Sequence, residues 1–348
     1  MDERSNDDMM KKTVQGILAI TTLTIFPLTA LVVRAGGWDN FKLQYFHLTQ
    51  YFHNQEQEFL DISQRQIDVS RHSRIDLNDL LNGGPPKDGI PSIDNPQFDT
   101  ARSTPFSADE TIIGVAIDGK AKAYPYGILN WHEIVNDTLA ETNITVSYCP
   151  LCDTIVVFQR GNSTYGVSGK LYQSCLVMYD RTDDTLYAQP WGLGIVGKQV
   201  NQDLERIPAV QTTLEAWLKR YPDSQILSTD TGYQRDYQRY PYGSYKQDRP
   251  LVFPVRDQQQ LQHHPKAKIS YIWESDGQTP HNRFSGESLQ FVHAEIKQLG
   301  EKVVNFNQRP IRVLWDDTLE TVRVEELDGR PIPSSTAYAF VYPAFMGD

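Results

Sequence analysis

Cysteine is scarce in this sequence: Cys149, Cys152 and Cys175 are the only three in 348 residues. So few exclude a disulfide scaffold, and the core must hold itself together by packing. Positive charge is also thin, with 33 Lys and Arg against 44 Asp and Glu, for a net charge of −11. A nucleic-acid binder needs a basic face to displace counterions, and this balance argues against one. No internal repeat and no low-complexity tract is visible. With 39% hydrophobic and 22% charged residues there is material for a core, which argues against wholesale disorder.

One long apolar run stands out. Residues 13–33, TVQGILAITTLTIFPLTALVV, carry no charged side chain. At about 1.5 Å per residue, a helix of that length just spans a hydrocarbon core of about 30 Å. Lys11 and Lys12 end the polar segment 1–12, and Arg34 is the only close charge on the other side. That bias predicts a cytoplasmic tail at 1–12 and the bulk of the chain outside the cytoplasm, periplasmic or extracellular. The length fits an uncleaved signal anchor, a transmembrane helix over 13–34, better than a signal peptide cleaved after Ala35. Residues 35–89 read as a helical stalk and linker, with apolar residues near helical spacing up to about 75 and a turn-rich Asn82-Gly83-Gly84-Pro85-Pro86.

Aromatics are plentiful, with 18 Tyr, 14 Phe and 6 Trp, many in short alternating runs that favour strands. Strands are predicted at 111–117, 121–126, 144–150, 154–160, 163–169, 176–181 and 185–192, and again in five runs from 267 to 345. One helix is predicted over 212–221, with Thr213 as N-cap and Leu214, Trp217 and Leu218 on one face. The Tyr- and Gln-rich segment 229–250 is long enough for a lid or binding loop. The expected fold over 90–348 is mainly β, a sandwich or barrel, with one or two short helices.

Chemistry is expected at Tyr148-Cys149-Pro150-Leu151-Cys152-Asp153. In a thioredoxin-type redox site such a pair opens a helix. Here a strand precedes it and Thr154-Ile155-Val156-Val157-Phe158 follows, which predicts a turn between two strands. Such a turn resembles the knuckles that present two thiolates to one metal. His132, and Cys175 one hairpin later, are candidate further ligands, and the soft set suits copper or zinc. In the redox alternative His132 is a base that lowers a thiol pKa. Glu133 is a candidate acid–base group or support for His132, and Tyr148, Tyr172 and Gln189 are candidate pocket walls. Bland readings stand beside these: a hairpin disulfide, a buried Cys175, a hydrogen-bonded core His132. Sequons occur at Asn136, Asn143 and Asn162. Gly192-Leu-Gly-Ile-Val-Gly197 lacks the strand and helix of a dinucleotide loop, and no nucleophile constellation for a hydrolase is present.

The ordered segments Lys122–Asn136, Val146–Cys152, Tyr165–Tyr172, Met178–Arg181, Gln189–Gly197 and Ala339–Phe345 resemble a prokaryotic family catalogued as domain of unknown function 3179. The resemblance covers about residues 90–345 and carries over Cys149, Cys152 and Trp131-His132-Glu133. It implies frequent export or membrane attachment but no activity. Two departures are Asp153, where the family usually shows Gly, and Cys175, where an acidic residue is usual.

The expected function is an extracytoplasmic copper- or zinc-binding or thiol-redox protein, with the membrane as a partner through its N-terminal helix. A metal, small molecule or protein is the other expected partner, and nucleic acid is not. The alternative is a non-catalytic binding module with a structural disulfide and a Tyr-rich ligand loop.

Overall fold

The apolar and alternating runs after residue 90 do form strands, and in the computed structural model these assemble into four sheets. The structure describes residues 73–247, 250–257, 261–276 and 284–347. The expected tail 1–12, anchor 13–34 and stalk as far as residue 72 lie outside the described residues. Among the described residues no helix is long and apolar enough to cross a membrane.

The middle sheet has seven strands. Its path runs β16 (Gly286–Val292), β15 (Lys268–Ser275), β20 (Ser335–Tyr338), β7 (Thr154–Gln159), β6 (Thr142–Cys149) and β5 (Ile134–Leu139), with β12 (Arg206–Ile207) also pairing β7. Against one face packs a sheet ordered β1 (Leu80–Asn82), β8 (Tyr165–Tyr172), β9 (Cys175–Asp180), β10 (Leu186–Ala188) and β11 (Leu193–Val196). Against the other packs a sheet ordered β13 (Ala209–Thr213), β3 (Thr111–Ile117), β4 (Lys120–Pro125), β14 (Gln225–Leu227) and β2 (Phe98–Asp99). A small sheet of β17 (Glu301–Phe306), β18 (Arg309–Asp316) and β19 (Thr321–Glu326) has its own core with Ile296.

The period of two along β6 and β7 divides the main core. Val146, Tyr148, Ile155 and Val157 point into a core with Ile113, Val115 and Tyr124. Cys149, Val156 and Phe158 point the other way, among Tyr172, Cys175 and Val177. Both faces are covered, which is why these strands read as nearly continuous apolar runs.

Among the described residues four short α-helices accompany the sheets: α1 (Tyr126–His132), α2 (Leu214–Arg220), α3 (His293–Leu299) and α4 (Val341–Met346). Only α2 matches a predicted helix, and Thr213 caps it by accepting from Ala216 N at 3.2 Å. Its Trp217 lies flat over Gly114, where an added Cβ would meet the indole at 2.4 Å. The predicted strand 121–126 ends early because the chain leaves the sheet at Pro125 and enters α1, which is buried on nearly all sides. The last predicted strand likewise splits into β20 and α4. Short, wholly buried apolar runs carry no period that separates strand from helix.

Residues 73–82, expected as the end of the helical stalk and linker, are built into the domain with no α-helix. Ile75 is fully buried and β1 pairs with β8. Four hairpins turn on two residues at positive φ: Asp118-Gly119, Ala140-Glu141, Gln173-Ser174 and Asn307-Gln308. Only the first shows the Asp-Gly signature of such turns.

Candidate functional site

Cys149 closes β6, and Thr154, its partner across the ladder, opens β7. The four residues between them form the predicted turn. Cys152 N donates to Cys149 O at 3.3 Å, and Pro150 supplies the fixed φ that the position after Cys149 favours. Asp153 then takes φ 49° to re-enter the sheet. Folding back in this way sets the two cysteines side by side, with no helix at either end.

The neighbouring sheet delivers the third sulfur. The Gln173-Ser174 turn places Cys175 at the first residue of β9, and Leu176 N donates to Cys149 Sγ at 3.3 Å. All three cysteines are buried free thiols, each within hydrogen-bonding reach of the other two. Burial pushes a thiol up, because it penalises the thiolate. At Cys149 that push is outweighed by hydrogen bonds from Cys152, Cys175 and the Leu176 and Cys152 amides, which hold it well below the usual thiol range. Cys152 and Cys175 go well above it, by burial and by donating to Cys149.

Glu133 is near enough for the charge of Cys149 to act on it. It follows α1 at φ 57°, and its backbone carbonyl accepts from Tyr148 N at 2.8 Å. Burial, and then the charge of Cys149, push its carboxyl up to about 8. Tyr242 donates to Glu133 Oε1 at 2.8 Å.

That tyrosine belongs to the segment 229–247, which crosses the site as a strap. Tyr245 Oη donates to Leu151 O at 2.7 Å, holding the cysteine turn from outside. Trp131 Nε1 donates to Arg239 O at 3.1 Å. Gly127 of α1 lets the strap come close, since a Cβ there would meet Tyr237 O at 2.6 Å. The Tyr240 hydroxyl is buried with no hydrogen-bond partner. The thiols are enclosed: Cys149 is 2% exposed. An open cleft of about 740 Å³, lined by Lys120, Glu141 and Arg220, holds none of them.

Asp153 anchors the far side of the turn. Its carboxylate accepts from Tyr148 Oη at 3.2 Å and Gln211 Nε2 at 3.2 Å, with Lys268 Nζ at 3.4 Å.

The structure thus brings Cys149, Cys152, Cys175 and Glu133 together and sends His132 elsewhere. His132 Nδ1 lies 2.7 Å from Pro91 O and Nε2 2.8 Å from Tyr237 Oη. A carbonyl only accepts, so Nδ1 carries the proton and Nε2 accepts from the tyrosine. Burial lowers its pKa and keeps the ring neutral. Neither nitrogen is free to reach a thiol or a metal. Among the described residues no group of three or more His, Cys, Asp and Glu side chains is disposed to hold a metal ion.

The expected pocket walls are buried supports. Tyr148 packs at a tilt against Tyr126 with centroids 4.1 Å apart, and Tyr172 packs against Trp191 and Phe345. Gln189 Nε2 bridges Ser147 Oγ and Thr154 O, bracing the turn from below. Sequence reasoning missed Tyr240, Tyr242, Tyr245 and Gln211, although the Tyr-rich strap was legible as a lid. The sequon at Asn136 is buried, its amide donating to Asp94 and to Tyr165 O.

No curated protein and no solved structure matches the chain. A family match spans residues 87–329, which takes in all three cysteines, Glu133 and the strap but stops short of the closing Ala339–Phe345. The chain belongs to that family, described as a protein of unknown function (DUF3179).

Proposed function

We propose that this protein carries out thiol–disulfide redox chemistry, with Cys149 as the attacking thiolate, Cys152 as the resolving thiol and Glu133 as the proton donor and acceptor. The single observation that carries the reading is the buried Cys149 sulfur, which accepts the Leu176 amide at 3.3 Å with Cys152 and Cys175 close enough to lower its pKa, beside a carboxyl raised to about 8. A depressed thiol next to a raised acid separates nucleophile from proton source.

The steps balance. Cys149 Sγ attacks one sulfur of a substrate disulfide, forming a mixed disulfide and expelling the other sulfur as a thiolate, which takes the Glu133 proton. The Glu133 carboxylate then accepts the Cys152 proton while Cys152 Sγ attacks Cys149 Sγ, and it passes that proton to the second substrate sulfur as this leaves as a thiolate. The substrate leaves as two thiols, and the protein keeps the two-electron oxidation as a Cys149–Cys152 disulfide until a thiol reductant reverses it. The strap must swing aside for any substrate larger than a small oxidant, because Tyr240, Tyr242 and Tyr245 close the site. Export by an N-terminal anchor at 13–34 belongs to the same reading, since disulfides persist in oxidising compartments.

The test is a thiol count and metal content on the full chain, before and after exposure to oxidised glutathione. Reversible loss of two thiols, abolished in Cys149→Ser, supports the reading. Retention of all three thiols would overturn it in favour of a binding module. An equivalent of copper or zinc that co-purifies and is lost in Cys149→Ser would overturn it in favour of a metal site.

A further inference from the structure

We infer that Cys175 is a second exchange partner for Cys149, so that the site holds one disulfide able to move between two positions. The inference rests on the reading above of Cys149 as the attacking thiolate. Its own support is geometric. The pairing of Tyr172 with Cys175 fixes the β8–β9 turn at two residues, both at positive φ, which presents Cys175 at the first position of β9. The next amide, Leu176 N, is bonded to Cys149 Sγ at 3.3 Å, so the start of β9 is tied to the end of β6. Cys175 is 0% exposed and lies close enough to both other sulfurs for each to act on it. A cysteine that merely filled core space would have carbon neighbours on all sides. This one sits against the reacting pair, on a different sheet from the two strands that their turn joins.

The exchange needs no outside oxidant. Starting from the Cys149–Cys152 disulfide, Cys175 gives up its proton and its sulfur attacks Cys149 Sγ. The Cys149–Cys152 bond breaks, its electron pair leaves on Cys152 Sγ, and the proton passes there. One disulfide is consumed and one is made. Cys152 is thereby freed, at the turn nearest Tyr245 and the strap, for a further exchange with substrate.

Hydrogen peroxide is a probe small enough for a closed site. Cys149 thiolate attacks one peroxide oxygen, forming an S–O bond and releasing hydroxide. A neighbouring thiol then attacks that sulfur, closing a disulfide and releasing water. Trypsin places Cys149 and Cys152 together in fragment 123–160 and Cys175 in fragment 171–181. In peroxide-treated, acid-quenched Cys152→Ser, the expected result is most of fragment 171–181 cross-linked to 123–160. In Cys175→Ser the expected result is an internal disulfide within 123–160.

Cys152→Ser that shows only oxidised Cys149, with Cys175 still a thiol, would overturn the inference while a normal Cys175→Ser result leaves the redox reading standing. Should no variant and no wild-type sample form any disulfide, both fall. Cleavage after Leu151 separates Cys149 from Cys152, so the wild type answers the same question if Cys152→Ser does not fold. Both linkages are then expected, and Cys149–Cys152 alone would overturn the inference.

Discussion

Lys122 on β4 reaches Asp137 on β5 with both carboxylate oxygens within 3.0 Å of its ammonium, while Tyr124 Oη donates to the same carboxylate and Thr138 O takes a further ammonium hydrogen. Phe98 covers the ammonium at 3.8 Å. Every group in this buried cluster has the partner its charge calls for. The sulfur cluster is built differently. A carboxyl is pushed up to about 8, two thiols are pushed up and one is pulled down. The Tyr240 hydroxyl, the Ser174 hydroxyl and the Gln189 carbonyl oxygen are buried without partners. The first arrangement is what stability alone asks of a buried polar group. The second sets the protonation preferences of neighbouring groups apart, which is what the redox chemistry proposed above would use.

The contrast can be broken from either side. The largest effect expected is that of Cys149→Ser, which removes all peroxide-driven disulfide formation and leaves Cys152 and Cys175 titrating as thiols. Lys122→Ala acts on the other cluster. It strands Asp137 as an uncompensated buried charge, for an expected loss of about 3–5 kcal/mol in denaturant unfolding, with thiol reactivity per folded molecule unchanged.

Glu133 gives the comparison a pH axis. Its folded-state pKa of about 8 lies above the unfolded value of 4.5, so between these limits the folded protein holds a proton that the unfolded chain releases. Its contribution to stability therefore falls as pH rises from 4.5 to about 8 and is level outside that window. Glu133→Gln should remove that part of the slope and gain most, relative to wild type, above pH 8. A variant whose unfolding midpoints run parallel to wild type across this range would show that the carboxyl is not raised. Tyr242→Phe should cost about 1 kcal/mol and move the Glu133 step to still higher pH, because the lost hydrogen bond favoured the carboxylate. Thr213→Ala, far from both clusters in role, should cost about 1 kcal/mol through the lost cap and leave reactivity and pH slope alone.

Much of the frame was readable in the residues. Thr111–Ile117 was legible as a strand to the residue, the Cys149–Cys152 turn was legible from strands on both sides, and Thr213 announced its helix. The misses have physical causes. Tyr126–His132 is apolar on all sides, so it shows no helical period. Ala140-Glu141 and Gln173-Ser174 adopt a glycine-favoured turn without glycine, held there by the ladders they join. His132 resembled a ligand because it lies near the cysteines in sequence. Adjacent residues at the end of a helix point to different sides, and here both His132 nitrogens are taken by Pro91 O and Tyr237 Oη while Glu133 is the one on which the Cys149 charge acts.

By itself the sequence determined the β class, the family and the paired cysteines in a turn, because hydrophobic period, turn chemistry and motif are local properties. Only the tertiary structure decided that Cys175 joins that pair, that His132 is turned away from it, and that the tyrosine strap closes over it. Those are contacts between different sheets and a long loop, and no local pattern encodes which face of one sheet meets which turn of another.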